Sequence, residues 1–210
     1  AENLLFSAIV KEGDVLPGNS HFDTTKAHIE YRKATALDCT IDEAKDTQLE
    51  IPFKGNIDLE KLENALKSYP KEKIPAVVLT VTNNTAGGQP VSMENIRETS
   101  RLCQKFDVLL LIDSARFAEN AYFIKTREKG YSDKSIREIV REMFSYADVM
   151  TMSSKKDAVV NMGGFLAMKS EALWKKCKIY CILNEGFITY GGMSGRDMEA
   201  LAQGLEEGTD

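Results

Sequence analysis

The sequence predicts an α/β fold: a mainly parallel central sheet flanked by helices. Three observations predict it. Runs rich in aliphatic and β-branched residues alternate with segments whose apolar residues recur at helical spacing, the order that right-handed crossovers produce. Val108-Leu109-Leu110-Leu111-Ile112 is apolar at every position, as a strand covered on both faces is. Gly163-Gly164-Phe165-Leu166-Ala167-Met168 follows the strand before it after too short a link for a crossover helix, so this strand is expected to run antiparallel.

Taken in order, Ala1 to Leu5 reads as part of a helix. Ala27 to Phe53 carries the weakest pattern, with Thr35 to Ile41 as a candidate strand. Leu59, Leu62, Ala65 and Leu66 form a helical stripe for which Asp58 is the expected N-cap. Pro75 to Thr82 is rich in β-branched residues and reads as a strand. Ser92 is expected to cap a helix running through Ile96 and Leu102 to about Phe106, and the Val108–Ile112 strand follows. Helices are expected over Ala115 to Arg127 and Ser135 to Tyr146, then a strand over Asp148 to Ser153. Glu171 to Leu183 and Gly195 to Gly204 read as the last two helices.

A chain of 210 residues suits one domain, or one and a half, and buries about 70% of its unfolded surface. The net charge of −5 argues against nucleic acid as a partner, because phosphate binding needs Lys and Arg clustered on one face. Lys67, Lys71 and Lys73 alternate with Tyr69 and Glu72 and read as a solvated helix end. No apolar run approaches the roughly 20 residues of a membrane span, and no signal peptide opens the sequence. Cys39, Cys103, Cys177 and Cys181 lack nearby histidines, so they read as buried free thiols of a cytoplasmic protein rather than as metal ligands.

In open parallel sheets the carboxyl ends of the strands form the ligand crevice. Three runs place polar groups there: Thr82-Asn83-Asn84, Asp113 to Arg116, and Ser153 to Lys156. A carboxylate and a lysine at the ends of neighbouring parallel strands are what pyridoxal phosphate (PLP) chemistry requires. The lysine holds the cofactor covalently, and the carboxylate keeps the pyridine nitrogen protonated so that the ring accepts electrons. The same residues also allow plainer readings: Lys155-Lys156 as an exposed pair after a core strand, Asp113 as the N-cap of the helix after it, and Ser153 as a strand-end hydroxyl.

Four longer segments carry a resemblance. They are Asn84-Thr85-Ala86-Gly87-Gly88-Gln89-Pro90-Val91-Ser92, Asp113 through Lys125, Ser153-Ser154-Lys155-Lys156-Asp157, and Glu185-Gly186-Phe187-Ile188-Thr189-Tyr190-Gly191-Gly192. Together they look like the tryptophanase/tyrosine phenol-lyase family, over nearly the whole chain from Pro17 to Gly204. The resemblance implies the large catalytic domain of an aspartate-aminotransferase-type (fold type I) PLP-dependent enzyme. Residues 1–210 are then expected to be its middle portion, with a phosphate-binding loop upstream and a smaller domain downstream.

Carried over residue by residue, the resemblance makes Lys156 the Schiff-base lysine and Asp113 the partner of the pyridine nitrogen. Arg116 falls near the cofactor's phenolic oxygen, and Asn84 falls between that oxygen and the substrate carboxylate. Ser153 and Lys155 fall at the phosphate, and Phe22 stacks on the ring. Asn161 matches a backbone contributor to a monovalent-cation (potassium) site. Asp23 resembles the tryptophanase branch, where an acid could move a proton at the indole ring. Ser114, Phe117 and Ala118 side with that branch, whereas Gly195 to Ala200 resembles the phenol-lyases. The implied activity of the longer parent is β-elimination of L-tryptophan to indole, pyruvate and ammonia, in a homo-oligomer, either a dimer or a tetramer built from dimers. Tyrosine as substrate, with phenol as product, is the alternative within the family. A truncated, non-catalytic scaffold or dimerisation module is the alternative outside it.

Overall fold

The computed structural model describes residues 1–210. In chain order the elements are α1 (Glu2–Ile9), β1 (Val15–Gly18), α2 (Asp23–Tyr31), β2 (Thr35–Asp38), α3 (Leu59–Ser68), β3 (Ala76–Thr80) and α4 (Met93–Phe106). There follow β4 (Leu109–Asp113), α5 (Phe117–Arg127), α6 (Ile136–Ser145), β5 (Val149–Ser153), β6 (Gly164–Met168), α7 (Glu171–Asn184) and α8 (Gly195–Glu207). One six-stranded sheet runs in the order β2-β1-β3-β4-β5-β6. Every neighbouring pair is parallel except β5 and β6, which are antiparallel as the short link between them requires.

Alternation along the strands divides the core into two layers. Val77, Leu79, Leu110 and Ile112 join a cluster with α3, α4, α5 and α6, against which Leu201 and Leu205 of α8 pack. Ala76, Val78, Leu111 and Val149 face the other way, into a cluster with Leu5 and Phe6 of α1, Ile29 of α2 and Leu173 of α7. Leu79, Leu110, Leu111 and Ile112 are almost completely buried, and each such side chain contributes about 1.5–3 kcal/mol. The wholly apolar Val108–Ile112 run is therefore explained by cover on both faces.

The expected caps form. The Asp58 carboxylate accepts from Glu60 N (2.9 Å) and Lys61 N (3.0 Å), and Ser92 Oγ accepts from Asn95 N (3.1 Å). Ser135 and Glu138 make a reciprocal capping box at the start of α6. One expectation fails here. The helix after β4 begins at Phe117 rather than Ala115, and Asp113 remains in the strand and does not cap it. A carboxylate from another loop caps α5 instead, with Asp157 Oδ2 accepting from Ala118 N (2.7 Å) and Glu119 N (3.0 Å).

β1 and α2 have too little sequence pattern to be read beforehand, yet β1 lies inside the sheet. It pairs with β3 only at Gly18 and Val78, and the Asn19 side chain extends that contact. Asn19 Nδ2 donates to Gly55 O (2.7 Å) and Thr80 O (3.1 Å), and Asn19 Oδ1 accepts from Thr80 N (2.7 Å). Gly18 is required by the close approach, since a Cβ there would stand 2.7 Å from Val78 O and 2.9 Å from the His21 ring.

Candidate active site

The carboxyl ends of β1, β3, β4 and β5 open into one cavity of about 1010 Å³. Phe22 reaches it from the turn after β1, and Asn84 from the turn after β3. Asp113 and Arg116 enter from β4, and Ser153, Lys155 and Lys156 from β5. Seven of the nine residues singled out in the sequence thus share one wall. The remaining two do not. Asp23 is exposed at the first position of α2, where its charge suits the helix dipole, and Asn161 is exposed in the bend before β6. Neither lines the cavity.

Hydrogen-bonded turns hold these side chains. Asn83 Nδ2 donates to Asn19 O, and Asn83 N donates to Gln89 O (2.8 Å), which closes the turn carrying Asn84. Thr85 Oγ1 donates to His21 O (3.0 Å) and so ties that turn to the segment bearing Phe22. Ser114 N and Oγ both donate to Thr151 O, at 2.9 and 2.8 Å, which fixes the end of β4 to β5.

Asp113 lies between Thr80 of β3 and Thr151 of β5 in the sheet register. Burial, and then the charge of Glu2, raise its carboxyl to about pKa 7; the Thr151 hydroxyl, Arg116 and Lys156 pull the other way without prevailing. Glu2 is held in place by the hydroxyls of Thr24 (2.8 Å) and Thr25. Lys155 and Lys156 are exposed.

A PLP molecule is compatible with this arrangement. The cavity is large enough, and a half-buried carboxyl in its wall with too little opposing positive charge is suited to a protonated ring nitrogen. The Thr82 hydroxyl is buried in the wall with no hydrogen-bond partner, as is that of Thr80. The amines of Lys155 and Lys156 and the Ser153 hydroxyl supply donors of the kind that hold an aldehyde and a phosphate.

Sequence reasoning assigned no role to Thr82 or Glu2. Thr82 could be placed at the crevice, as the first residue of the Thr82-Asn83-Asn84 run at a strand end. Glu2 could not, because α1 is brought to the cavity by packing on α2 and α7. The far wall contains Trp174, Cys177 and Cys181 of α7 and much of the Glu185–Met193 segment.

Comparison with known proteins decides the family. Residues 1–206 match the family model described as beta-eliminating lyase. The chain belongs to the beta-eliminating lyase family. A Trichomonas vaginalis protein named "Probable beta-eliminating lyase" is 64% identical over all 210 residues, which make up 46% of its length. The tryptophanase of Salinibacter ruber is 55% identical over the whole chain and 44% of its own length. The tyrosine phenol-lyase of Pasteurella multocida is 50% identical over the whole chain and 46% of its own length. The chain thus spans about half the length of the curated relatives it matches.

Solved structures agree on the fold. A Sphingomonas wittichii serine palmitoyltransferase superposes with a TM-score of 0.64 at 13% identity, over all of this chain and 44% of that one. A PLP-bound C–S lyase of Staphylococcus hominis gives 0.56 at 18% identity, over 83% of this chain and 39% of that one. This beta-eliminating lyase chain has the mostly parallel sheet of the PLP-dependent fold type I enzymes. No helix is long and apolar enough to cross a membrane.

Proposed function

We propose that these residues form the cofactor-binding core of the large domain of a PLP-dependent carbon–carbon lyase. The parent protein would cleave L-tryptophan to indole, pyruvate and ammonia. The observation that carries this reading is Asp113 and Lys156 on adjacent parallel strand ends, facing one cavity. When bound, PLP supplies an electron-accepting ring that stabilises negative charge at the substrate α-carbon.

The chain's own residues would do the rest. Lys156 would hold the cofactor and, once displaced by the substrate amine, would be the base for the α-proton. Asp113 would keep the ring nitrogen protonated, and Arg116 would favour the ionised phenolic oxygen. Asn84 would orient the substrate carboxylate, Ser153 and Lys155 would hold the phosphate, and Phe22 would cover the ring face. Asp23 adjoins Phe22 but is exposed, so proton transfer by Asp23 at the leaving ring rests on the family resemblance. The same holds for a potassium site at Asn161, for a dimeric or tetrameric assembly and for a cytoplasmic location.

The test is a PLP titration of the chain, followed by borohydride reduction and peptide mapping. Label concentrated on Lys156 is expected; no label, or label scattered over surface lysines, would refute the reading. Tyrosine is the rival substrate, supported by phenol-lyase relatives at 50% identity. Comparing indole release with phenol release by the longer protein separates the two, and phenol alone would overturn the tryptophan assignment.

A further inference from the structure

The loop that carries Lys156 is gripped from two sides. On one side the Asp157 carboxylate accepts the Ala118 and Glu119 amides in the first turn of α5, and Asp157 N donates to Ala115 O (3.3 Å). The N-cap of α5, Arg116, makes no side-chain cap of its own. Asp157 therefore joins the segment ending in Lys156 to the segment beginning with Asp113. On the other side lies α8. A Cβ at Gly204 would fall 1.8 Å from Ala158 O, and one at Gly208 would fall 2.7 Å from Asp157 O. Only hydrogen at these positions lets the helix rest directly on the loop backbone. Ala158 is completely buried in the same core cluster as Phe117 and Ala121 of α5. The C-terminal end of α8 is tied to α6 through Arg137, whose Nη2 lies 2.6 Å from Glu206 Oε2 and 3.6 Å from Asp210 Oδ1.

We propose that Asp157 is the positioning residue for Lys156: clamped between the first turn of α5 and the glycine notch of α8, it sets the lysine against Asp113 and Arg116. The inference rests on the reading of Lys156 as the cofactor-holding lysine. Lys156 itself is exposed and Asp157 half-buried, so the aim of the amine is set by the residue after it and not by packing around its own side chain. A side chain held this way keeps its register with the neighbouring strand end. A misplacement of about 1 Å costs on the order of a hundredfold in reactivity.

The test uses the whole chain carrying Asp157→Asn, Asp157→Glu or Asp157→Ala. Asparagine keeps the acceptor and the shape. Glutamate keeps the charge and capping capacity but displaces the loop by one methylene. Each variant is read by the partition of borohydride-fixed PLP label between Lys156 and Lys155, and by hydrogen exchange at Ala118 and Glu119. Thermal unfolding checks that each variant is folded.

The expected result is a partition within about twofold of the parent for Asp157→Asn, and a shift of about tenfold away from Lys156 for Asp157→Glu and Asp157→Ala. Exchange at the two amides should quicken about tenfold in Asp157→Ala only. A merely structural role would lower the melting temperature without moving the partition between two adjacent lysines. Unchanged partition in folded Asp157→Glu or Asp157→Ala overturns the proposal. If the parent chain itself takes no label on Lys156, the functional reading falls. The clamp is then judged by exchange alone, and unchanged exchange in Asp157→Ala overturns it.

Discussion

Replacing Asp113 by asparagine should make the cofactor-free chain more stable at alkaline pH while weakening its hold on PLP. The carboxyl titrates near 7 in the folded chain, against 3.8 for the unperturbed group, because burial and the charge of Glu2 disfavour its ionised form. The folded state then binds a proton that the unfolded state has already lost, so stability falls as pH rises from about 4 through about 7. At about 1.36 kcal/mol per pKa unit the full displacement corresponds to about 4 kcal/mol. This is a ceiling, since the cavity admits water and asparagine must still satisfy the Thr151 hydroxyl. A gain of about 2 kcal/mol at pH 8 is the expected size. Urea unfolding followed by circular dichroism at pH 5, 6, 7 and 8 measures it. The stability difference between variant and parent should grow in favour of asparagine across this range. A difference that does not vary with pH would refute the argument, because the penalty would then not arise from ionisation. In the same variant PLP affinity should fall at least about tenfold, since a neutral amide cannot pair with a protonated ring nitrogen.

Four further outcomes follow from the structure. Glu2→Gln removes the second cause of the Asp113 shift, so the pH midpoint of that stability change should move down; an unmoved midpoint would leave burial as the only cause. The His21 imidazole, lowered to about 4 chiefly by burial, should titrate well below the ordinary 6.5 in a proton NMR series, and a midpoint above 6 would contradict its buried setting. This group is neutral in the folded chain and protonated in the unfolded one, so it withdraws stability as pH falls from about 6.5 to about 4, with a ceiling of about 3 kcal/mol. Asp58→Ala should cost about 1 kcal/mol in denaturant unfolding, the usual loss for an N-cap that accepts two amides. Leu79→Ala, at a fully buried position of the central sheet, should cost about 2–5 kcal/mol, and a loss below 1 kcal/mol would mean that the site collapses around the change.

The strands and helices with strong local patterning were legible in the sequence. The β4 run is apolar throughout because both its faces are covered, and α3, α4 and α6 announce themselves by a cap followed by an apolar stripe. Asp113, Arg116, Ser153, Lys155 and Lys156 were also legible as a group, because polar residues directly after parallel strands must emerge at the same edge of a sheet. The place of β1 inside that sheet was not. It is four residues long, pairs with β2 along its length, and is joined to β3 by one backbone pairing and by the Asn19 amide, whose partners at Gly55 and Thr80 lie 36 and 61 residues away.

Local sequence thus determined the elements and the edge on which the polar residues gather, since both follow from periodicity and strand direction. Only tertiary structure decided how those residues behave. The Asp113 carboxyl is raised to about 7 because the folded chain buries it and, second, because α1 brings in the charge of Glu2. α5 is capped by Asp157 and not by Asp113, because a loop some forty residues later returns to its first turn. α8 lies on that loop because glycine stands at 204 and 208. Asp23, plausible by resemblance, remains outside the cavity wall. The physical reason is the same in each case. Burial, electric field and close approach depend on atoms distant in sequence, whereas periodicity and capping depend on neighbours.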